Sequence, residues 1–147
     1  MNLILWRHAD ADDRVPDGAR ALTAKGEKQA RRVAAWLKKQ LPKGTRILAS
    51  PAKRAQQTAG ALTRRFETSR DVGTAAGPQS ILDAAGWPEG GATVVVVGHQ
   101  PTLGQAAALA LTGKPGELNL QKGALWWLES RGRGDVVTRA VITPDML

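Results

Sequence analysis

Asn2-Leu3-Ile4-Leu5-Trp6-Arg7-His8 carries four bulky apolar side chains straight into a cation and an imidazole. Apolar residues on both alternations of such a run read as a strand covered on both faces, the mark of a central strand in a parallel sheet. Polar side chains at the end of a buried strand are costly unless they find partners. In an open α/β sheet, however, ligands bind at the carboxyl ends of the strands, so Arg7 and His8 read as part of a site.

The pattern recurs twice. Thr93-Val94-Val95-Val96-Val97 runs into Gly98-His99-Gln100-Pro101, and Ile47-Leu48-Ala49 runs into Ser50-Pro51-Ala52-Lys53-Arg54. His8 and His99 are the only two histidines in the chain. A histidine near a strand end is ordinarily satisfied by one hydrogen bond, and an arginine by water. The convergence of three junctions on one edge of a sheet singles out Arg7, His8, Arg54 and His99 together.

Between the strands the period lengthens. Ala30, Val33, Ala34, Leu37 and Leu41 predict an amphipathic helix from about Ala24 to Leu41, capped by Thr23 and closed by Pro42 and Gly44. After strand 46–49, Ser50-Pro51 reads as the N-cap and first-turn proline of a helix to about Phe66. A short helix around Ser80–Ala85 ends at Gly86-Trp87-Pro88, and Pro101 begins another that runs to about Leu111. Residues 9–20 and 67–80 read as loops. The segments 124–129 and 136–142, separated by Gly132 and Gly134, predict a hairpin that extends the sheet edge, with Trp126 and Trp127 as packing residues. This order predicts an α/β fold, a three-layer α/β/α sandwich with a mostly parallel central sheet, in a single domain spanning 1–147.

The composition narrows the chemistry. The chain has 147 residues, no cysteine and a formal net charge of +8. Without cysteine there is no thiolate nucleophile or thiolate metal site, and two histidines leave little for a zinc site, so neither metal nor cofactor is expected. No apolar run reaches the ~18 residues of a membrane span, and the start lacks signal-peptide features, which predicts a cytoplasmic protein with no membrane partner. The positive charge suits anionic partners. Lys25, Lys28, Arg31, Arg32, Lys38 and Lys39 share one predicted helix, and Arg64 and Arg65 end another. They read as solvated surface rather than a nucleic-acid stripe, since no aromatic residues interleave with them.

Arg54 and Lys53 fall in the first turn of their predicted helix, where cations meet the positive end of the helix dipole. A bound anion reverses that conflict, stabilised by the helix amino end and the guanidinium alike. Arg7 offers a second planar fork to the same phosphate.

Leu5-Trp6-Arg7-His8-Ala9 resembles the Arg-His-Gly motif of the histidine phosphatase superfamily, with its phosphoglycerate mutase-like fold; Ala9 replaces the usual glycine, a change that requires a negative φ there. Ser50-Pro51-Ala52-Lys53-Arg54-Ala55-Gln56-Gln57-Thr58-Ala59 and Val97-Gly98-His99-Gln100-Pro101-Thr102-Leu103 resemble that family's second and third motifs. The short length, the segment Asp17-Gly18-Ala19-Arg20-Ala21-Leu22-Thr23 and the end Lys122–Leu128 are similar to the small SixA-type phosphohistidine phosphatases within it. The resemblance implies that His8 is a nucleophile that becomes transiently phosphorylated and that Arg7, Arg54 and His99 hold the phosphoryl group. It implies a phosphohistidine-containing protein, such as a phosphotransfer domain, as partner, and inorganic phosphate as product.

Phosphoryl transfer needs positioning and charge neutralisation, which two arginines and a protonated His99 supply without a metal. His8 attacks as the neutral imidazole, a form that nearby cations favour. Many family members carry an acid between the second and third motifs. In that interval Asp71, Asp83 and Glu89 are the candidates, each reading more simply as a loop or cap residue, while Asp17, near Arg20, is a candidate from the 9–20 loop. An imidazole with a pKa near ~6.5 leaves more easily than an alkoxide, so a missing acid favours phosphoramidates over esters. The short connections predict a shallow, open pocket. The rival readings are a phosphomonoesterase for small esters using the same residues, a catalytically silent phosphate-binding module, a magnesium-dependent aspartyl phosphatase built on Asp10-Ala11-Asp12, and a basic nucleic-acid binder.

Overall fold

The computed structural model describes residues 1–147. Its strands are β1 (Asn2–Arg7), β2 (Arg46–Ala49), β3 (Glu67–Thr68), β4 (Thr93–Gly98), β5 (Leu125–Ser130) and β6 (Val136–Ile142). Its α-helices are α1 (Ala24–Gln40), α2 (Lys53–Leu62), α3 (Pro78–Ala85) and α4 (Thr102–Thr112). The six strands form one sheet in the order β3-β2-β4-β1-β5-β6. β3, β2, β4 and β1 run parallel to one another, and the β5–β6 hairpin joins the sheet antiparallel to β1.

Strand alternation divides the core in two. Ile4, Trp6, Val95 and Val97 face α1 and α2, meeting Val33, Leu37, Ala55 and Ala59. Leu3, Leu5, Val94 and Val96 face α3 and α4, meeting Ile81, Leu82, Leu103 and Ala107. Both faces are thus covered, which is why β1 and β4 carry apolar residues at successive positions. The result is the predicted three-layer sandwich. No helix is long and apolar enough to cross a membrane.

The connections create the site. β1 leaves through α1, across one face, toward β2; β4 leaves through α4, across the other face, toward β5. The chain therefore diverges above the adjacent carboxyl ends of β1 and β4, the crevice where α/β sheets bind ligands.

Several boundaries differ from the sequence reading. α1 is capped by the Thr23 hydroxyl, which accepts the Gly26 N–H, but it ends at Gln40. α2 begins at Lys53 with Ala52 in the cap position, so Ser50 and Pro51 precede the helix rather than start it. It ends at Leu62 rather than Phe66, because Thr63 is extended and the chain turns into β3, a short parallel partner for β2 within a segment read as loop. Phe66 still packs on the core. Pro78, not Ser80, opens α3, and Pro101 lies just before α4. The 9–20 loop contains a single 3-10 turn, Asp17–Ala19, and Ala11 bridges to Leu22.

Candidate active site

Sheet register levels the site residues. Arg7 pairs with Gly98, and the His8 N–H donates to the Gly98 carbonyl at 3.0 Å, so His8 and His99 leave adjacent strands at one height. Their rings lie 5.3 Å apart between centroids. The Ser50 N–H donates to the Val97 carbonyl at 3.0 Å, which brings the third junction alongside. Arg7, His8, Arg54 and His99 meet as the sequence predicted; His8, Arg54 and His99 are buried and Arg7 is half-buried.

Hydrogen bonding fixes the His8 tautomer. Nδ1 lies 2.8 Å from the Ala9 carbonyl, which only accepts, so Nδ1 carries the proton and Nε2 keeps its lone pair. Burial foremost, then the charges of His99, Arg54 and Arg7, outweigh the Ala9 bond and push the His8 pKa down to about 3. The imidazole is neutral at physiological pH, and its unprotonated Nε2 accepts the Arg54 Nε–H at 3.3 Å. Ala9 itself has a negative φ, since Arg133 is the sole non-glycine residue with a positive one, and it is fully buried. Its N–H donates to the Thr58 hydroxyl on α2 at 3.1 Å.

Arg54, the second residue of α2, is the hub. Its Nε lies 3.3 Å from His8 Nε2, its Nη1 donates to the Asp17 carbonyl at 2.9 Å, and its Nη2 meets the Asp17 carboxylate at 3.1 Å and His99 Nδ1 at 3.4 Å. An anion does sit on this guanidinium, and it is the chain's own. Arg7 donates through Nη1 to the Leu120 carbonyl at 2.8 Å, while its buried Nε has no hydrogen-bond partner. Burial lowers the Arg7 pKa, a desolvation that a bound anion would offset.

His99 departs from expectation. Because Arg54 Nη2 only donates, His99 Nδ1 accepts, and Nε2 donates to the Ser50 hydroxyl at 2.7 Å. Burial and the Arg54 charge push the His99 pKa down to about 4, so the ring is neutral at physiological pH, not protonated. The Asp17 charge raises the His99 pKa but does not offset burial and Arg54, and a bound anion would add counter-charge favouring protonation. Ser50, read from the sequence as a helix cap, is instead the residue that orients His99. Its place at the third strand end was the available signal.

Asp17 lies in reach of the site but is exposed. Burial slightly opposes ionisation there, yet bonds and charges from Arg54 and Arg20 hold the carboxyl below its usual range, so it has no proton to give near neutrality. Arg20 braces this arrangement, with Nη1 3.3 Å from the Asp17 carboxylate and Nε bonded to the Asp12 carbonyl at 2.6 Å. Asp71 lies exposed in a 3-10 turn, Asp83 bonds Gln79, and Glu89 lies at the opposite end of the sheet beside Met1. None of the three joins the cluster.

Two open recesses flank the four residues. One of about 560 Å³ is bordered by Asp17, Ser50, Pro51 and Arg70, and one of about 460 Å³ by Arg7, Gln100, Leu120 and Gln121. The largest hollow, about 750 Å³, lies at the other end of the sheet, around Met1, Trp87 and Ser130. No three His, Asp or Glu side chains gather as a cation site. The cluster offers guanidinium N–H donors, the complement of a tetrahedral oxyanion, while the imidazole N–H groups are taken by Ala9 and Ser50.

Comparison with known proteins agrees with this chemistry. The model of the histidine phosphatase superfamily (branch 1) matches residues 3–75. Phosphohistidine phosphatase SixA of Escherichia coli K12 is 33% identical over 123 residues, spanning 78% of this chain and 76% of SixA. An uncharacterized protein of Picosynechococcus sp. is 37% identical over 141 residues, spanning 88% of this chain and 86% of that protein. The solved structure of SixA complexed with tungstate superposes with a TM-score of 0.85 over 99% of both chains at 26% identity.

Proposed function

The chain belongs to the histidine phosphatase superfamily, and from that premise we propose that it hydrolyses phosphohistidine on a partner protein in the cytoplasm, releasing inorganic phosphate. The observation that carries the proposal is the placement of the Arg54 guanidinium 3.3 Å from His8 Nε2, an anion-seeking group against an unprotonated nitrogen. A phosphoryl group held by Arg7, Arg54 and His99 presents its phosphorus to that nitrogen. His8 Nε2 forms the new P–N bond while the P–N bond of the substrate breaks, its electron pair leaving on the substrate imidazole. The Ala9 carbonyl, bonded to Nδ1–H, stabilises the positive charge that His8 gains. Water then attacks phosphorus, the His8 lone pair returns, and phosphate departs. Splitting hydrolysis in two lets the same cations serve both halves.

The state of Asp17 supports phosphohistidine over a phosphate ester. An alkoxide needs a proton as it leaves, and the one carboxyl near the site is held ionised by Arg54 and Arg20. A phosphorylated imidazole that carries a proton on its other ring nitrogen, as it can near neutrality, leaves as neutral imidazole with no acid from the enzyme. The exposed recesses on both sides suit a side chain presented by a protein rather than an enclosed metabolite.

The test is turnover of a histidine-phosphorylated protein and of p-nitrophenyl phosphate by wild type and His8→Ala, with EDTA present. Wild type is expected to prefer the phosphohistidine protein, unaffected by the chelator, and His8→Ala to lose at least about a thousandfold in rate. Activity that survives the substitution would overturn the nucleophile, and preference for the ester would move the chain to the small-ester phosphatases.

A further inference from the structure

The basic residues of α1 do not form an even coat. Lys25, Lys28 and Arg32, spaced to share one face of the helix, line an open groove of about 390 Å³ with Gln121 and Lys122, and Asp145 is the one acidic residue on its wall. Lys25, Lys28 and Arg32 are exposed and have no carboxylate within ion-pair distance, whereas Lys122 meets Asp10 at 3.0 Å. Lys25 and Lys28 lie in the amino-terminal half of α1, where the helix dipole disfavours cations, so helix stability does not explain them.

The groove runs up to the reaction site. Gln121 borders both it and the recess that opens on Arg7. The next residues are tied to the nucleophile's own segment: the Gly123 N–H donates to the His8 carbonyl at 3.0 Å, and the Asp10 N–H donates to Gln29 on α1 at 2.9 Å. A macromolecule that presents a phosphorylated side chain to His8 through this side must lie along Lys122 and the Lys25–Lys28–Arg32 face. The groove has no hydrophobic side chain to anchor an apolar ligand.

We propose that this face is the docking surface for an acidic patch on the phosphohistidine-bearing partner, beside the phosphorylated residue; the assignment of the partner rests on the phosphatase reading above. Charge complementarity at the rim of a reaction site speeds encounter and fixes register, and it weakens with salt.

The triple variant Lys25→Glu/Lys28→Glu/Arg32→Glu tests it, assayed on an acidic histidine-phosphorylated phosphotransfer domain and on N-phosphoimidazole. On the domain, kcat/KM is expected to fall by about tenfold or more at low salt, mainly through KM, and to lose most of its salt dependence. On N-phosphoimidazole the variant should match wild type, which also shows that it is folded. Replacing the domain's acidic residues by lysine should restore turnover by the variant. Equal kcat/KM for variant and wild type on the domain would overturn the docking surface, as would duplex DNA affinity that falls in the variant while protein turnover does not. If wild type hydrolyses neither substrate, the phosphatase reading fails instead. Salt-dependent binding of the unphosphorylated domain to wild type but not to the variant then still decides the surface.

Discussion

Arg54 is paired with the Asp17 carboxylate, and on the proposed reaction a phosphoryl group would compete for the same guanidinium. The Asp17 carboxylate bonds Nη2 at 3.1 Å, and Nη2 is also the nitrogen that reaches His99. On that proposal phosphate has to displace, or bind against, a negative charge that the chain keeps at the mouth of the site. The pair is mostly exposed on the Asp17 side, so water screens it and its strength is ~1 kcal/mol or less. Asp17→Asn retains a polar side chain and removes the charge. Inorganic phosphate is then expected to inhibit about fivefold more tightly, with kcat on phosphohistidine nearly unchanged, as product-inhibition kinetics would read. A collapse of kcat with unaltered phosphate inhibition would instead make Asp17 a proton donor. At this scale the sequence singled out Arg7, His8, Arg54 and His99 as candidates, because each follows an apolar run, and the fold places them at one end of the sheet. It did not reveal that Ser50 orients His99 or that Asp17 neutralises Arg54, because those are contacts between segments that no local pattern records.

The elements around the site were legible where one periodicity dominated and obscure where signals competed. β1, β4 and α1 followed their apolar patterns closely. α2 did not, because the Ser50 hydroxyl accepts from Ala52 N–H and serves His99, which leaves the helix to start at Lys53 without a side-chain cap. Nor did the sequence show how α1 is held to the nucleophile's loop. That depends on Gly26, where a Cβ would fall on the Asp10 carbonyl, two residues beyond His8. Gly60 of α2, in contrast, has open space around it. Gly26→Ala is accordingly expected to destabilise the fold by about 2 kcal/mol, in the range of overpacked contacts, and to impair turnover as the Asp10 segment shifts. Gly60→Ala should stabilise by up to ~1 kcal/mol through helix propensity alone. Urea denaturation distinguishes the two, and a neutral Gly26→Ala would mean that the helix and loop move apart freely.

For the molecule as a whole, the site has a stability cost that depends on pH. Burial holds His8 and His99 neutral, with pKa values pushed down to about 3 and about 4, whereas in the unfolded chain both titrate near ~6.5. Between those values the unfolded state binds more protons than the folded one, so stability rises with pH through this window and falls as pH drops from about 6.5 toward 4. The depressed carboxylates Asp10 and Asp17 act in the same direction but later. Their contribution is complete above the ordinary carboxylate range and is lost only as pH falls through and below it. The net charge of +8 grows further on acidification, yet that repulsion is shared by any variant of similar charge. His8→Asn/His99→Gln removes the two imidazoles while keeping polar side chains. Its urea midpoint is expected to stay nearly level between pH 6.5 and 4.5 while that of wild type drops, and the two curves should run parallel only below about pH 3, past both folded-state pKa values. Saturating phosphate should lessen the wild-type drop, since a bound anion both favours the folded state and raises the His99 pKa. A wild-type midpoint that is flat from pH 6.5 to 4.5 would show that the imidazoles are not held neutral, and would remove the physical basis for His8 as an unprotonated nucleophile.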